Sequence, residues 1–128
     1  MKFFYLGSLI TLIFFSCEAN PISEYEQYKM GYLEMTPGNT YDLTQGDLFF
    51  IEVEYSTIPY LWEYDIDSNV QLLDEKTFDL NDPDIVGGSV NHIYRFQYVG
   101  NGFSMINFAL VQIVEPFEVL ETRDYFIE

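Results

Sequence analysis

Phe49, Ile51, Val53 and Tyr55 alternate with Phe50, Glu52 and Glu54. A period of two turns successive side chains to opposite faces of an extended chain, so this stretch reads as a β-strand with one face on a core. The pattern returns at 90–99, where Tyr94, Phe96 and Tyr98 share a face and Asn91, Arg95 and Gln97 take the other. It returns at 103–111 with Ile106, Phe108 and Leu110. Shorter extended stretches fall at 28–35, 41–43, 61–64, 70–73 and 124–127. Turn signals separate them: Thr36-Pro37-Gly38-Asn39, Gln45-Gly46-Asp47, Asp67-Ser68-Asn69 and Gly100-Asn101-Gly102. The last reads as a tight hairpin turn, because Asn and Gly accept positive φ. After the first twenty residues no stretch reads as a helix. Residues 21–27 read as a loose polar leader, and 118–124 lacks helix caps. Seven to eight short strands with turns about every ten residues predict an all-β sandwich.

The first residues read as an export signal. Lys2 supplies the charged start, and 3–15 is an apolar run too short to span a membrane. Two processing routes fit. Cys17-Glu18-Ala19 ends in a small residue, which suits cleavage before Asn20 and makes 1–19 a signal peptide. Alternatively Phe14-Phe15-Ser16-Cys17 is a lipobox-like stretch, with 1–16 removed and Cys17 lipidated. Either route takes the mature chain out of the cytoplasm, secreted or anchored; in a eukaryote it leads to secretory vesicles or a lysosome-like compartment. Residues 20–128 then form a single domain, long enough to bury a core.

Cys17 is the only cysteine, so that domain has no internal disulfide. It must rely on packing, and 11 Tyr and 12 Phe supply the material. So many aromatics exclude a disordered acidic tail. Five Lys and Arg against 21 Asp and Glu give a formal charge of −16. That balance disfavours nucleic acid and anionic lipid as partners, and it speeds encounter with a basic protein.

Catalytic constellations are sparse. The single His, His92, shares a strand face with Tyr94 and Phe96, where it reads as a packed side chain. A Cys–His pair has no thiol within the domain, and no strand–elbow–helix context supports a Ser–His–Asp arrangement. The chain is therefore not expected to be an enzyme. Asp79-Leu80-Asn81-Asp82-Pro83-Asp84 is rich in oxygen donors. Counted from Asp79, however, the sixth position is Asp84 and the twelfth Val90, where a helical calcium loop needs Gly and Glu. It reads as a solvated acidic turn, so neither metal nor cofactor is expected.

Three short loops between the apolar segments carry the functional signal. They are Ser56-Thr57-Ile58-Pro59-Tyr60-Leu61-Trp62, Val86-Gly87-Gly88-Ser89 and Glu115-Pro116-Phe117. Singly, each has a structural reading: Trp62 fills a core, Gly87-Gly88 makes a turn, and Pro116-Phe117 starts a strand. In this order and spacing they resemble the chagasin family of cysteine-protease inhibitors. That family carries N-P-T-T-G-Y-x-W in the first loop, G-x-G-G in the second and R-P-W or R-P-F in the third. Thr57, Tyr60 and Trp62 match the first motif, Gly87 and Gly88 the second, Pro116 and Phe117 the third. Tyr55, Ser56, Ile58 and Pro59 replace the Asn, Pro, second Thr and Gly; Ile85 replaces the first Gly of the second motif, and Glu115 replaces Arg.

The resemblance implies an immunoglobulin-like β-sandwich with the three loops gathered at one end. It implies reversible, cleft-blocking inhibition of papain-like cysteine proteases by a monomer, with no cofactor and no bond formed. Thr57, Ile58 and Pro59 would lie over the protease's catalytic Cys. Gly87, Gly88, Pro116 and Phe117 would grip the cleft walls, and Tyr60 and Trp62 would support the first loop. The alternative is a secreted or lipid-anchored immunoglobulin-like binding module whose partner is not a protease.

Overall fold

Among the described residues the alternating segments become eight strands in two four-stranded sheets. The structure is a computed structural model that describes residues 22–55, 59–81 and 89–128. Within the Gly31–Glu128 unit the strands are β1 (Leu33–Glu34), β2 (Thr40–Tyr41), β3 (Leu48–Tyr55), β4 (Tyr60–Asp65), β5 (Val70–Phe78), β6 (Val90–Tyr98), β7 (Ser104–Gln112) and β8 (Val119–Ile127). The first sheet runs β1-β3-β6-β5 and the second β2-β8-β7-β4. The long strands pair antiparallel, while β1 and β2 add short parallel edges to β3 and β8. This is the expected all-β, immunoglobulin-like sandwich.

The core lies where the predicted faces meet. Phe49, Ile51 and Val53 of β3 share a face with Phe96 and Tyr98 of β6 and pack with Ile106, Phe108, Tyr125 and Ile127 of the second sheet; all are buried. Aromatic rings set its geometry. Phe49 stacks on Phe96 at 5.3 Å between centroids, and Phe108 meets Tyr94 edge-on at 5.1 Å and Tyr125 edge-on at 5.8 Å. Each buried aromatic of this size stabilises the fold by roughly 1.5–3 kcal/mol relative to exposure. On the first sheet the opposite face is not simply solvated. Phe50 and Ile93 alternate onto it and are also buried, and Arg95, register partner of Phe50, holds its guanidinium 4.9 Å from the Tyr32 ring.

Three expectations are corrected. First, the chain does contain a helix, α1 (Glu24–Lys29), where a leader and the start of a strand were expected. Ser23 caps it by accepting the Glu26 N–H at 3.2 Å; Glu24 and Glu26 sit in the first turn and Lys29 in the last, each suited to the helix dipole. The signal was present in the sequence but short enough to be overlooked. It belongs to the Met1–Met30 unit, and the adjoining strand shrinks to Leu33–Glu34. No helix among the described residues is long and apolar enough to cross a membrane.

Second, Gly100-Asn101-Gly102 is not a hairpin turn. It joins β6 in one sheet to β7 in the other, because β6 is already paired on both sides by β3 and β5, and β7 by β4 and β8. Gly102 has the positive φ anticipated, +78°. Gly100 is needed for a different reason: a Cβ there would run into Asn69, whose own Cβ would lie 2.8 Å away. Third, β5 and β8 are longer than the apolar patterns at 70–73 and 124–127, since pairing with β6 and β7 carries polar residues into the ladders.

Candidate functional site

Strand direction decides where the loops go. The connections β3→β4, β5→β6 and β7→β8 all leave the same end of the sandwich, because consecutive strands from β3 onward reverse direction. The register confirms this: Tyr55 pairs with Val90 and Phe78 with Asn91 at the edge of the first sheet, while Tyr60 pairs with Gln112 and Val111 with Val119 at the edge of the second. The three connections are those that hold the three sequence motifs.

The bases of these loops are tied to one another. The Ile113 N–H donates to the Pro59 carbonyl at 2.8 Å, joining the first loop to the third. Ser89 Oγ donates to Glu54 at 2.6 Å, joining the second loop to the strand that leads into the first. Asp79 turns the chain by accepting from the Asn81 N–H at 3.0 Å, and the Asn81 amide donates to the Ser89 carbonyl, closing the neck of the second loop. Asn91 donates to Glu52 at 2.7 Å between β6 and β3. The third loop is closed by Gln112 N–H to Glu118 carbonyl, 2.9 Å, around an inner turn in which Phe117 N–H reaches the Val114 carbonyl, 2.9 Å. Glu115-Pro116 is cis and Phe117 has φ +53°, a left-handed conformation that non-glycine residues seldom take.

The sequence-derived site residues divide clearly. Pro116 and Phe117 sit at the exposed tip of the third loop, Phe117 with 63 % of its surface in solvent. Pro59 and Tyr60 are half-buried at the foot of the first loop. Trp62 is 4 % exposed, edge-on to Phe108 at 6.5 Å and beneath the Arg123 guanidinium at 4.8 Å, so it packs in the core near the start of β4. Thr57, Ile58, Gly87 and Gly88 lie outside the described residues. The sequence reading passed over the apolar residues Ile113, Val114, Val119 and Leu120, all solvent-exposed around the third loop. A hint lay in the run Val111-Gln112-Ile113-Val114, too long for the strand it ends.

The electrostatics are one-sided. Glu54, Glu63, Glu115, Glu118 and Glu121 surround this end, and Glu121 is engaged by Arg123. Just inside it His92 stacks on Tyr94 at 4.1 Å and meets the Glu75 carboxylate at 3.0 Å. Burial pushes the His92 pKa below its ordinary value, opposed by the Glu75 charge. No grouping of three or more His, Cys, Asp or Glu among the described residues has the geometry of a metal site. The arrangement can present shape, apolar surface and negative charge.

The chagasin family of peptidase inhibitors matches residues 42–127, from ahead of β3 to the end of β8. The chain belongs to that family. Among solved structures it is similar to the crystal structure of EhICP2, a cysteine protease inhibitor from Entamoeba histolytica: TM-score 0.66 at 16 % identity, over 75 % of this chain and 93 % of that one. It is also similar to the solution structure of amebosin, with TM-score 0.51 at 16 % identity and the same coverage of 75 % and 93 %. At such identities the likeness speaks for the fold. No curated protein matches.

Proposed function

We propose that this chagasin-family chain is a reversible inhibitor of papain-like cysteine proteases that works by filling the active-site cleft. The observation that carries the reading is the convergence of the three motif-bearing connections on one end of a rigid sandwich, with their bases bonded together. Occlusion needs a wedge that loses little entropy on binding, and loops fixed at both feet meet that requirement. In this mechanism the first loop, with Thr57, Ile58 and Pro59, lies over the catalytic Cys. The second, with Gly87 and Gly88, and the third, with Pro116 and Phe117, flank it. No covalent bond forms, no cofactor takes part and the inhibitor acts as a monomer.

The reading is tested by titrating papain with the purified domain. Competitive inhibition that reverses on dilution, with the inhibitor's mass unchanged afterwards, supports it. A folded domain that leaves papain fully active removes it. Export belongs to the same proposal, and the intact mass of the exported protein separates cleavage before Asn20 from lipidation at Cys17.

A further inference from the structure

The third loop carries exposed apolar side chains, Ile113, Val114 and Phe117, among its carboxylates. Its apolar surface continues onto the outer face of the second sheet. Leu61 of β4 pairs with Val111 of β7, and Val111 pairs with Val119 of β8. Residues directly opposite in an antiparallel ladder share a face. Their neighbours Trp62 and Leu110 turn to the core, so Leu61, Val111 and Val119 form one row across three strands on the solvent side. Leu61 is 43 % and Val119 60 % exposed. The chain between Val111 and Val119 is the third loop, with its exposed Ile113, Val114 and Phe117. Immediately below, the next row is Glu63, Ala109 and Thr122, and the one after it Asp65, Asn107 and Asp124. The apolar surface is therefore open toward the loops and closed toward the middle of the sheet.

A ladder irregularity builds the row. Between Leu110 and Val111 the register slips: Leu110 pairs with Glu121, but Val111 pairs with Val119, leaving Leu120 without an opposite residue. In an unbroken ladder Val119 would fall on the inner face with Tyr125 and Ile127, and Leu120 would stand opposite Val111. The bulge turns Val119 outward while Leu120 also stays in solvent.

We propose that this row is a second contact surface for the target protease, gripping the outside of the cleft wall that the third loop enters. The inference rests on the inhibitor reading and adds to it a partner surface of stated chemistry: an apolar, uncharged shoulder beside the cleft. Two observations favour that occupant over a second copy of this chain. Three side chains span only a few hundred Å², well short of the ~800 Å² per partner of a stable interface, so the row must belong to a larger contact, and the loops adjoin it. A second copy would also bring a formal charge of −16 against −16.

The experiment compares papain binding by wild type, Phe117→Ala, the double variant Leu61→Thr/Val119→Thr, and Met105→Thr. Thr has the β-branched shape that strands favour, and Met105 is an exposed apolar control farther from the loops on the same face. The double variant should dissociate at least ~10-fold faster, with an association rate and salt dependence like wild type, since lost apolar contact acts on dissociation. Its melting temperature and that of the control should match wild type, and the control should bind normally. If wild type binds and Phe117→Ala weakens binding, but the double variant dissociates at the wild-type rate, the row is no contact surface. If wild type sediments as a dimer and the double variant as a monomer, a second copy covers the row and the inference is overturned. A folded wild type that binds no papain overturns the inhibitor reading and this inference with it.

Discussion

The two ends of the sandwich solve opposite problems. At the end away from the loops, the connections β2→β3, β4→β5 and β6→β7 are cross-bonded along their length. Gly46 N–H reaches the Tyr98 carbonyl at 2.7 Å, Tyr98 N–H the Asp47 carbonyl at 2.9 Å, and Val99 N–H the Asn69 carbonyl at 2.8 Å. Fully buried Ser104 hydrogen-bonds both oxygens of Asp67, and the Tyr98 hydroxyl donates to the Gly102 carbonyl at 2.6 Å. At the loop end, among the described residues, bonds tie the feet of the loops and close an inner turn of the third, whose apolar side chains stay exposed. One end satisfies its polar groups internally and locks the two sheets together. The other leaves apolar side chains in solvent. Substitutions should accordingly separate into those that move stability and those that move binding.

Trp62 is the case that joins the two, since it lies at the loop end but inside the core. Trp62→Ala should destabilise the domain by about 3–5 kcal/mol, as for other large buried aromatics. Chemical denaturation followed by circular dichroism measures this, because the variant has no other Trp. A loss below about 1 kcal/mol would mean that Trp62 is not part of the core.

Within the first-loop motif the effect should fall on binding alone. Thr57→Arg should weaken protease inhibition by at least ~2 kcal/mol, the scale of a central contact, while the melting temperature stays put. Equal inhibition constants for variant and wild type would break the assignment of the first loop to the centre of the interface.

At the opposite end the signs reverse. Gly100→Ala forces Asn69 aside, disturbing the carbonyl that accepts from both Val99 and Gly100. It should cost about 1–3 kcal/mol of stability, as overpacking does, and leave inhibition unchanged for the folded fraction. A change in the inhibition constant would show that the two ends communicate.

Smaller effects sharpen the electrostatic side. Glu115→Arg restores the charge found in family motifs at the exposed third loop. It should tighten binding to an acidic protease by less than about 1 kcal/mol, and the gain should shrink as salt rises. A salt-independent gain would assign the effect to shape. The smallest effect concerns His92. Burial lowers its pKa in the folded chain, so below the ordinary value of 6.5 the unfolded chain binds more protons there. The stability contributed by the neutral ring is present above that pH and is lost as pH falls from it toward the folded pKa. His92→Phe keeps a ring beside Tyr94 and removes the titration, so its stability should fall less than that of wild type between pH 7 and pH 5.5. Parallel pH profiles would show that His92 plays no part in acid sensitivity.

Much of this was legible in the sequence, for a physical reason. A strand's period of two is written in its own residues, so Phe49, Ile51, Val53, Phe96 and Phe108 declare a core without knowledge of their partners. Trp62 and the three loop motifs were legible in the same way, from residue type and order. Helix α1 was also written locally, in Ser23 and Glu26, but its six residues give periodicity little to act on.

What only the tertiary structure decided is pairing. Gly100-Asn101-Gly102 has the composition of a hairpin turn, yet it bridges two sheets because β6 and β7 find their neighbours elsewhere. Alternation counted back from Ile127 through Tyr125 would bury Val119, yet one slipped register beside Val111 sends it into solvent. A residue's own sequence sets which neighbours share its face. The strand opposite it sets whether that face is kept to the end of the ladder, and here that choice placed an apolar row beside the loops.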